Sequence, residues 1–329
     1  MVYKHAPMGL TANILGASGY SAGELLRLLS GHPAITVGVL GAHTRAGQAV
    51  GLTHPHLYEH RDDVFVDVQT AAGAGGDLLF SCMPSGSLAA LGEAVSAPLV
   101  IDLSDDFRAA PDWVYGLVEH ARDRVGDATR IANPGCYPTA TLLGLVPFAR
   151  SGLIGGPVIV DALSGVSGAG KGLDDSLSFS ALHGSSTAYG ATMHRHVPEM
   201  ERGLVSFGGA DLTISFTPHL VPMARGLLVT ARAPLNGTLD DAGALAVLHE
   251  AYSDEPFVTV TDAWPSTKAV QGSNHALVSA RVDDRTGLVI VSATIDNLVK
   301  GAAGQALQNA NVALGLDETL GLEQIAVWP

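Results

Sequence analysis

The first third of the chain alternates short apolar runs with amphipathic stretches, and this order restricts the fold more than any other feature. Strands are predicted at Thr11–Gly16 and Ala34–Leu40, with a helix at Ser21–Ser30 between them. The alternation continues through apolar runs at Asp77–Cys82 and Pro98–Ser104. Short strands that alternate with helices are typical of a parallel sheet covered by helices. The pattern therefore predicts a Rossmann-type dinucleotide-binding domain.

After Asn133 the strands become longer and more of them alternate apolar with polar residues. Such runs are PVIVDALSGV, DLTISFTPHL, RGLLVTARAP, HALVSARVDD and GLVIVSATID. Helical patterns are few here, at 240–252 and from 300 to about 314, and alternation favours an antiparallel sheet with one covered face. We predict an α/β chain in which a Rossmann-type domain (residues 1–135 and 300–329) joins an α+β domain (residues 136–299). The second domain is expected to contain a mixed, largely antiparallel sheet.

Composition narrows the class of partner. The chain is 47% hydrophobic and 15% charged, with a net charge of −14, which indicates a globular protein and argues against a nucleic-acid ligand. It has two cysteines, no signal-peptide pattern and no run of about 18 apolar residues that would span a membrane. We expect a cytoplasmic protein that binds a small molecule.

The turn after the first predicted strand has the spacing of a dinucleotide phosphate loop. It reads GASGYSA, with Ser18 where the usual motif has its second glycine. Glycines let the backbone approach phosphate, and the helix N-terminus supplies oriented N–H groups. The alternative is a tight turn without a ligand. The predicted cofactor-binding residues here are Gly16, Ala17, Ser18, Gly19, Tyr20 and Ser21.

The end of the second predicted strand bears on the choice of cofactor. An acidic residue there would bind the ribose 2′-OH of NAD, but the sequence VLGAHTRAG offers Thr44 and Arg45 instead. This favours NADP, with Arg45 as partner of the 2′-phosphate. The alternative is that Arg45 is an ordinary surface charge.

The segment NPGCYPTA sets Cys136 after a Pro-Gly turn and at the start of a predicted amphipathic helix. The positive end of the helix dipole lowers a thiol pKa and favours a nucleophilic thiolate. Asn133, one turn earlier, is a candidate donor to an oxyanion formed on a thioacyl group. Cys82 ends an apolar strand and is interpreted as a packing residue.

Seven segments, in this order, resemble the semialdehyde dehydrogenase superfamily, and within it the N-acetyl-gamma-glutamyl-phosphate reductases of arginine biosynthesis. They are GASGYSAGELLRLL, IDLSDDFR, NPGCYPTA, SGVSGAGK, HRHVPEM, FTPHLVPMARGLL and IDNLVKGAAGQALQNAN. The chain departs at VYGLVEHARD, where the family has a longer segment with YGLPE. The resemblance implies NADPH-dependent reduction of an acyl phosphate, N-acetyl-L-glutamyl 5-phosphate, to its semialdehyde through a cysteine thioacyl intermediate. It also implies a homotetramer or homodimer.

The resemblance also implies functions for two of the histidines. It implies that one of His194 and His196 is the general acid/base and that the other contacts substrate, and we take His194 as the base. The trio His54, His56 and His60 lacks the spacing of a zinc site, so no metal site is predicted. His219 is left open between a structural and a substrate-loop role.

Basic residues in the family-matching segments are the candidates for binding anionic substrate groups, because guanidinium and ammonium groups suit carboxylate and phosphate. Asn297, in IDNLVKG, is expected to contact the nicotinamide amide, since the family's last strand returns there to the cofactor. The predicted substrate-binding residues are Arg108, Lys171, Arg195, His196 and Arg225.

The stretch SGVSGAGKG, Ser164–Gly172, matches a P-loop except that Gly172 stands where a hydroxyl should hold magnesium. We interpret it as a glycine-rich turn whose Lys171 binds phosphate or carboxylate. Three alternatives remain. They are a reductase of aspartyl phosphate or of an N-acylated aminoadipyl phosphate, a P-loop nucleotide-binding protein, and a non-catalytic dinucleotide sensor.

Overall fold

A computed structural model describes residues 9–172 and 174–328; the outer ends of the predicted domains, at residues 1 and 329, lie outside them. The chain forms two compact units. The first unit comprises the residues up to Pro134 together with Ala302–Glu323, and the second unit comprises Gly135–Gly301 with the residues from Gln324 onward.

The first unit contains a six-stranded parallel sheet in the order β2-β1-β3-β4-β6-β5. The chain turns to opposite sides of β1, which makes the carboxyl ends of β1 and β3 the switch point where such sheets bind ligands. The strands are β1 (Leu10–Leu15), β2 (Ile35–Gly41), β3 (Leu78–Ser81), β4 (Leu99–Asp102), β5 (Val114–Tyr115) and β6 (Arg130–Ala132). The helices are α1 (Tyr20–Leu29), α2 (Val50–Thr53), α3 (Val68–Gly73), α4 (Ser87–Leu91) and α5 (Val118–Gly126).

The second unit contains a seven-stranded mixed sheet in the order β11-β12-β13-β10-β7-β9-β8. Most of its pairings are antiparallel, and β7–β9 and β11–β12 are parallel. The strands are β7 (Val158–Ser164), β8 (Thr187–Ala188), β9 (Ile214–Leu220), β10 (Leu227–Pro234), β11 (Val258–Val260), β12 (Ala276–Asp283) and β13 (Leu288–Ile295). The helices are α6 (Cys136–Arg150), α7 (Phe179–Leu182), α8 (Val197–Gly208) and α9 (Asp241–Tyr252). The two sheets confirm the predicted fold class.

The return to the first unit is a π-helical turn at Val299–Ala303 that leads into α10 (Gly304–Ala313). The α-helix is thus shorter than the predicted segment, because the first four residues of that segment lie in a turn with i→i+5 rather than i→i+4 bonds. Buried asparagine and glutamine side chains line α10. Two of them, Gln305 and Asn309, donate to the carbonyl of Gly116 at 3.0 and 2.8 Å.

One face of the second sheet packs against helix α6. A Cβ on Gly144 of α6 would lie 2.9 Å from Val291 Cγ1, so this glycine allows the helix to approach β13 closely. Along β7 the residues alternate between buried and more exposed positions. Ile159 and Leu163 are 44% and 38% exposed on the opposite face, in keeping with the period of two of a strand.

No helix in the described part of the chain has the length and apolar character needed to span a membrane.

Candidate active site

Cys136 is the first residue of α6, as predicted, and its side chain is partly buried. The N-cap residue Gly135 has an extended backbone (φ −70°, ψ 156°) and no side chain to cap the helix. The positive end of the helix dipole is therefore directed at the segment that carries the thiol. This is the environment in which a thiolate is stabilised.

A buried carboxylate holds the turn before Cys136. Glu199, in the first turn of α8, is 3% exposed, and its Oε1 accepts a hydrogen bond from the Gly135 N–H at 2.9 Å. Since the two residues are far apart in sequence, no local pattern singles out this bond. A hydrogen bond to a charged acceptor is stronger than a neutral one, so Glu199 fixes the backbone one residue before the nucleophile.

The π-helical turn also touches Cys136. A Cβ on Gly301 would lie 2.7 Å from the Cβ of Cys136, closer than side chains pack. The Gly301 N–H donates to the carbonyl of Asp296 at 3.0 Å, the i→i+5 bond of a π turn. Such turns occur frequently at functional sites, and here the absence of a side chain lets the backbone lie against the nucleophile.

Aromatic and imidazole rings gather beside Cys136. The Tyr137 ring lies 5.5 Å from that of His194 and 5.8 Å from that of His196, centroid to centroid. The hydroxyls of Tyr137 and Tyr189 are hydrogen-bonded at 2.8 Å. Burial raises the pKa of both tyrosines, so both hydroxyls are protonated at neutral pH. The tertiary structure thus brings both predicted histidines next to the residue that follows Cys136.

The hydrogen bonds of His194 decide which ring nitrogen carries the proton. Its Nδ1 lies 3.2 Å from the backbone N–H of His196 and accepts from it, which leaves Nε2 protonated in the neutral ring. Burial, and secondarily the charge of Arg195, lower the pKa of His194. At neutral pH the ring is therefore an uncharged Nε2–H donor. Arg195 is exposed, whereas His196 is 6% exposed at the N-cap of α8.

Asn133 and Arg108 organise the end of the first-unit sheet. Asn133 is 1% exposed; its Nδ2 donates to the carbonyls of Pro134 and Ala302 at 3.4 and 3.2 Å, and its Oδ1 accepts from Asn309 at 3.1 Å. Arg108 Nε donates to the Asn133 carbonyl at 2.9 Å. These bonds give both side chains a structural function. Their expected oxyanion and substrate contacts stay predictions.

Arg225 and Asn297 link loops within the second unit. Arg225 Nη1 lies 3.2 Å from Oδ2 of Asp296, a carboxylate with no exposed surface. Asn297 Oδ1 accepts from the Gly226 N–H at 2.8 Å, and its Nδ2 donates to Ser167 Oγ at 2.9 Å. Their predicted contacts with substrate and nicotinamide stay predictions, since the bonds seen here hold protein groups.

The glycine-rich turn that resembles a P-loop has a different local structure. After β7 it forms a 3-10 turn at Val166–Ala169, and Gly170 has φ +81°. Among the described residues after Lys171, the first helical segment is another 3-10 turn, Asp175–Leu177, whereas a P-loop continues directly into an α-helix. The P-loop alternative therefore fails. Lys171 lies exposed on this turn.

His219 lies on the face of the second sheet that looks away from the histidine cluster. Its strand neighbour on β7 is Leu163, which is 38% exposed. Phe216, three residues earlier on β9, packs against Tyr137 from the other face, with 5.1 Å between the rings. Since side chains alternate along a strand, His219 is not part of the cluster.

The loop after β1 suits a ligand that carries phosphate. Gly16 has φ +69°, and a Cβ there would lie 2.6 Å from the carbonyl oxygen of Cys82, so no other residue fits this turn. Helix α1 then begins at Tyr20 with no side-chain cap, and the N-terminus of a helix favours an anion. Arg45, just beyond β2, is exposed and donates to Gln48 Oε1 at 3.0 Å.

Cys82 differs from Cys136 in its surroundings. Desolvation, and secondarily the charge of Asp102, raise the pKa of the Cys82 thiol to about 12. It is therefore a protonated thiol at neutral pH and no nucleophile. Within the described residues, no three His, Cys, Asp or Glu side chains are grouped to hold a metal ion.

Residues 11–128 match the model of the semialdehyde dehydrogenase NAD binding domain, and residues 136–297 match that of the semialdehyde dehydrogenase dimerisation domain. The chain is 43% identical to the N-acetyl-gamma-glutamyl-phosphate reductase of Paenarthrobacter aurescens, over 98% of this chain and all of that protein. The Mycobacterium avium protein of the same name is 42% identical, over 96% of this chain and 98% of its own length.

Solved structures are similar in fold. Aspartate semialdehyde dehydrogenase II of Vibrio cholerae superimposes with a TM-score of 0.75 at 17% identity, covering 94% of this chain and 99% of that one. The Candida albicans aspartate semialdehyde dehydrogenase with NADP gives a TM-score of 0.69 at 17% identity, covering 93% and 99%. Fold, full-length sequence identity and both domain matches agree. The chain belongs to the N-acetyl-gamma-glutamyl-phosphate reductase family of the semialdehyde dehydrogenases.

Proposed function

We propose that the chain catalyses the NADPH-dependent reduction of N-acetyl-L-glutamyl 5-phosphate to N-acetyl-L-glutamate 5-semialdehyde, with release of phosphate, in arginine biosynthesis. The names of the full-length relatives support the substrate. The observation that carries the chemistry is Cys136 at an uncapped helix N-terminus, next to the ring cluster of His194. A non-catalytic dinucleotide sensor would have no use for this arrangement.

Residues of the first unit would hold the cofactor. The loop from Gly16 to Ser21 would bind the pyrophosphate through backbone N–H groups, and Thr44 and Arg45 would contact the 2′-phosphate of the ribose. When bound, NADPH supplies the hydride that reduces the acyl group.

The covalent step belongs to Cys136. Its thiolate attacks the acyl carbon, the bond from that carbon to the phosphate oxygen breaks, and the acyl group remains as a thioester. After reduction the hemithioacetal collapses, the aldehyde leaves and the thiolate is restored. Asn133 is proposed as an oxyanion donor, which requires Nδ2 to exchange one of its present carbonyl partners for the substrate oxygen.

His194 is proposed as the hydrogen-bond donor to the reacting oxygen. As a neutral ring it presents Nε2–H, which donates to the oxygen that becomes negative as the tetrahedral species form. In the reverse reaction the same Nε2–H donates a hydrogen bond to the oxygen of the tetrahedral species, and the ring stays neutral in both directions. His196, nine-tenths buried beside it, is proposed to contact the substrate.

Cationic residues of the family-matching segments are proposed to bind the anionic ends of the substrate. Lys171 and Arg195 are both exposed. Arg225 and Arg108, which hold Asp296 and the Asn133 carbonyl, are proposed to contribute their remaining N–H groups. Guanidinium groups have several donors, so one can serve a protein partner and a substrate anion together.

We further propose a homo-oligomer, a dimer or a tetramer, that pairs the uncovered face of the second sheet. Ile159 and Leu163 are exposed on this face. Asp161, which lies between these two residues on β7, forms a salt bridge with Arg232, with 2.8 Å between Oδ2 and Nη1. Light scattering should report more than one chain per particle, and Ile159→Glu should shift the distribution toward monomer. A monomeric wild-type protein would contradict this.

The decisive assay runs the reaction backward with N-acetylglutamate semialdehyde, phosphate and NADP, and follows reduced nicotinamide by absorbance. Cys136→Ser should abolish turnover, and Cys82→Ser, the matched control, should keep it. Equal rates in both variants would refute the proposed nucleophile. Aspartate semialdehyde and the N-acetylaminoadipate analogue test the alternative substrates. Because a methylene changes transition-state binding by about 1–3 kcal/mol, kcat/KM for the correct substrate should exceed that for the others by about tenfold or more.

A further inference from the structure

A buried histidine lies behind the glycine loop of the first unit. His54, at the C-terminal end of α2, is 3% exposed. Its Nε2 lies 2.8 Å from the carbonyl oxygen of Ala17, inside the loop between β1 and α1. Since a carbonyl oxygen only accepts, Nε2 of His54 is the donor and carries the proton. One imidazole thus ties a remote segment to the loop.

The loop and its helix are shaped around this ring. A Cβ on Gly23 of α1 would lie 2.5 Å from Nδ1 and 2.7 Å from Cε1 of His54. Phe65 packs edge-on against the same ring, with 6.3 Å between centroids. The missing side chain at position 23 therefore creates the space that lets the ring reach Ala17.

The bond has a geometric consequence for the next residue. In a trans peptide the C=O of one residue and the N–H of the next point in opposite directions. His54 holds the Ala17 carbonyl from the buried side, so the N–H of Ser18 points away from His54. Ala17 has no exposed surface, whereas Ser18 is partly exposed. The peptide is thereby held with its donor on the outer side of the loop.

We propose that His54 is a positioning residue for cofactor binding. By donating Nε2–H to the Ala17 carbonyl, it fixes the Ala17–Ser18 peptide with its N–H toward the side where the dinucleotide pyrophosphate binds. The inference rests on the proposed use of this loop for NADP. It assigns a function to His54, one of the three histidines that lack the spacing of a metal site.

The neighbouring histidines provide the contrast. His56 is exposed, and its Nε2 lies 3.4 Å from the Gly23 carbonyl, a long contact. His60 is exposed as well. Because Nε2 of His54 donates to Ala17 and Nδ1 lies against Gly23, His54 acts on the loop rather than on a shared ion.

The test measures NADP binding by calorimetry in His54→Leu, His54→Gln and the control His56→Leu. His54→Leu should weaken binding about tenfold, since a hydrogen bond that orders the loop is lost. Glutamine places an amide N–H near the position of Nε2, so His54→Gln should stay within about threefold of wild type, and His56→Leu should equal it. At saturating NADP, kcat and the KM for semialdehyde should change little in every variant.

A second substitution reaches the same ring from the other side. Gly23→Ala should displace the imidazole and weaken NADP binding like His54→Leu, with thermal unfolding as the check that both variants fold. Unchanged binding in a folded His54→Leu, or an equal loss in His56→Leu, would overturn the inference. Failure of His54→Leu to fold, together with normal binding by Gly23→Ala, would also overturn it. If the wild type binds NADP but does not turn over the semialdehyde, the proposed reaction is refuted. The comparison of NADP binding between the variants and the wild type still tests the proposed function of His54 in that case.

Discussion

Gly301→Ala should disable the enzyme without unfolding it. The new Cβ would lie 2.7 Å from the Cβ and 3.2 Å from the Cα of Cys136, whereas carbon atoms in contact sit about 3.5–4.0 Å apart. Relief requires a shift of about 1 Å between the π-helical turn and the start of α6. Gly301 and Cys136 both belong to the second unit, so the collision cannot be avoided by moving one unit against the other.

Two magnitudes follow from this shift. A misplacement of about 1 Å at a reacting group costs about 100-fold in rate, so kcat should fall by about two orders of magnitude. Overpacking a close-packed site costs about 1–3 kcal/mol, which lowers Tm by about 2–4 °C for each kcal/mol in a domain of this size. The fold should survive while the nucleophile is displaced.

The prediction is tested by measuring kcat, Tm and the rate at which iodoacetamide alkylates Cys136. Alkylation reports the accessibility and reactivity of the thiol in the absence of cofactor and substrate. Gly126→Ala is the matched control, since its Cβ would meet no atom within 4 Å and it should behave as wild type in all three measurements. Wild-type kcat and alkylation rate in Gly301→Ala would refute the reasoning, since the backbone would then not constrain the nucleophile.

Three further substitutions test the charges around the sites. Burial raises the pKa of Asp102, so the folded state binds the proton more tightly than the unfolded state, and the free energy of unfolding falls as pH rises from the unfolded pKa through the folded pKa. Asp102→Asn should remove this loss, measured by urea unfolding at several pH values. An unchanged dependence of the unfolding free energy on pH would contradict this. Burial and then Arg195 lower the pKa of His194, so Arg195→Gln should move the acid limb of the kcat profile to higher pH, and a shift to lower pH would contradict it. Glu199→Leu leaves the Gly135 N–H without its carboxylate and should cost about 1–3 kcal/mol of unfolding free energy, with Glu199→Gln intermediate; equal stability of both with wild type would rule out the positioning bond.

Several local features could be predicted because their causes are local. The start of α6 at Cys136 follows from a Pro-Gly turn before an apolar helical pattern, and the loop at Gly16 follows from glycines between a strand and a helix. The leucines of α1 lie buried, 0–3% exposed, as the helical period requires. The extent of α10 differs, because a π turn takes the place of residues 300–303, the first four residues of the predicted helix.

The long-range partners could not be predicted. Nothing near Gly135 in sequence indicates Glu199, and nothing near Ala17 indicates His54. Asn297 is a comparable case: the motif that contains it suggests the cofactor, whereas its amide bonds Gly226 and Ser167. A side chain's hydrogen-bond partners depend on which segments the fold brings together, and a pattern along the chain contains no such information.

The sequence by itself determined the two-sheet α/β class, the nucleophile at a helix start and the family, because periodicity, turn residues and motifs act over a few residues. The tertiary structure alone decided which nitrogen of His194 carries the proton, that His219 faces away from the cluster, and that Gly301 must lack a side chain. These outcomes depend on contacts between residues distant in the chain, whose distances are fixed only when the strands and helices pack.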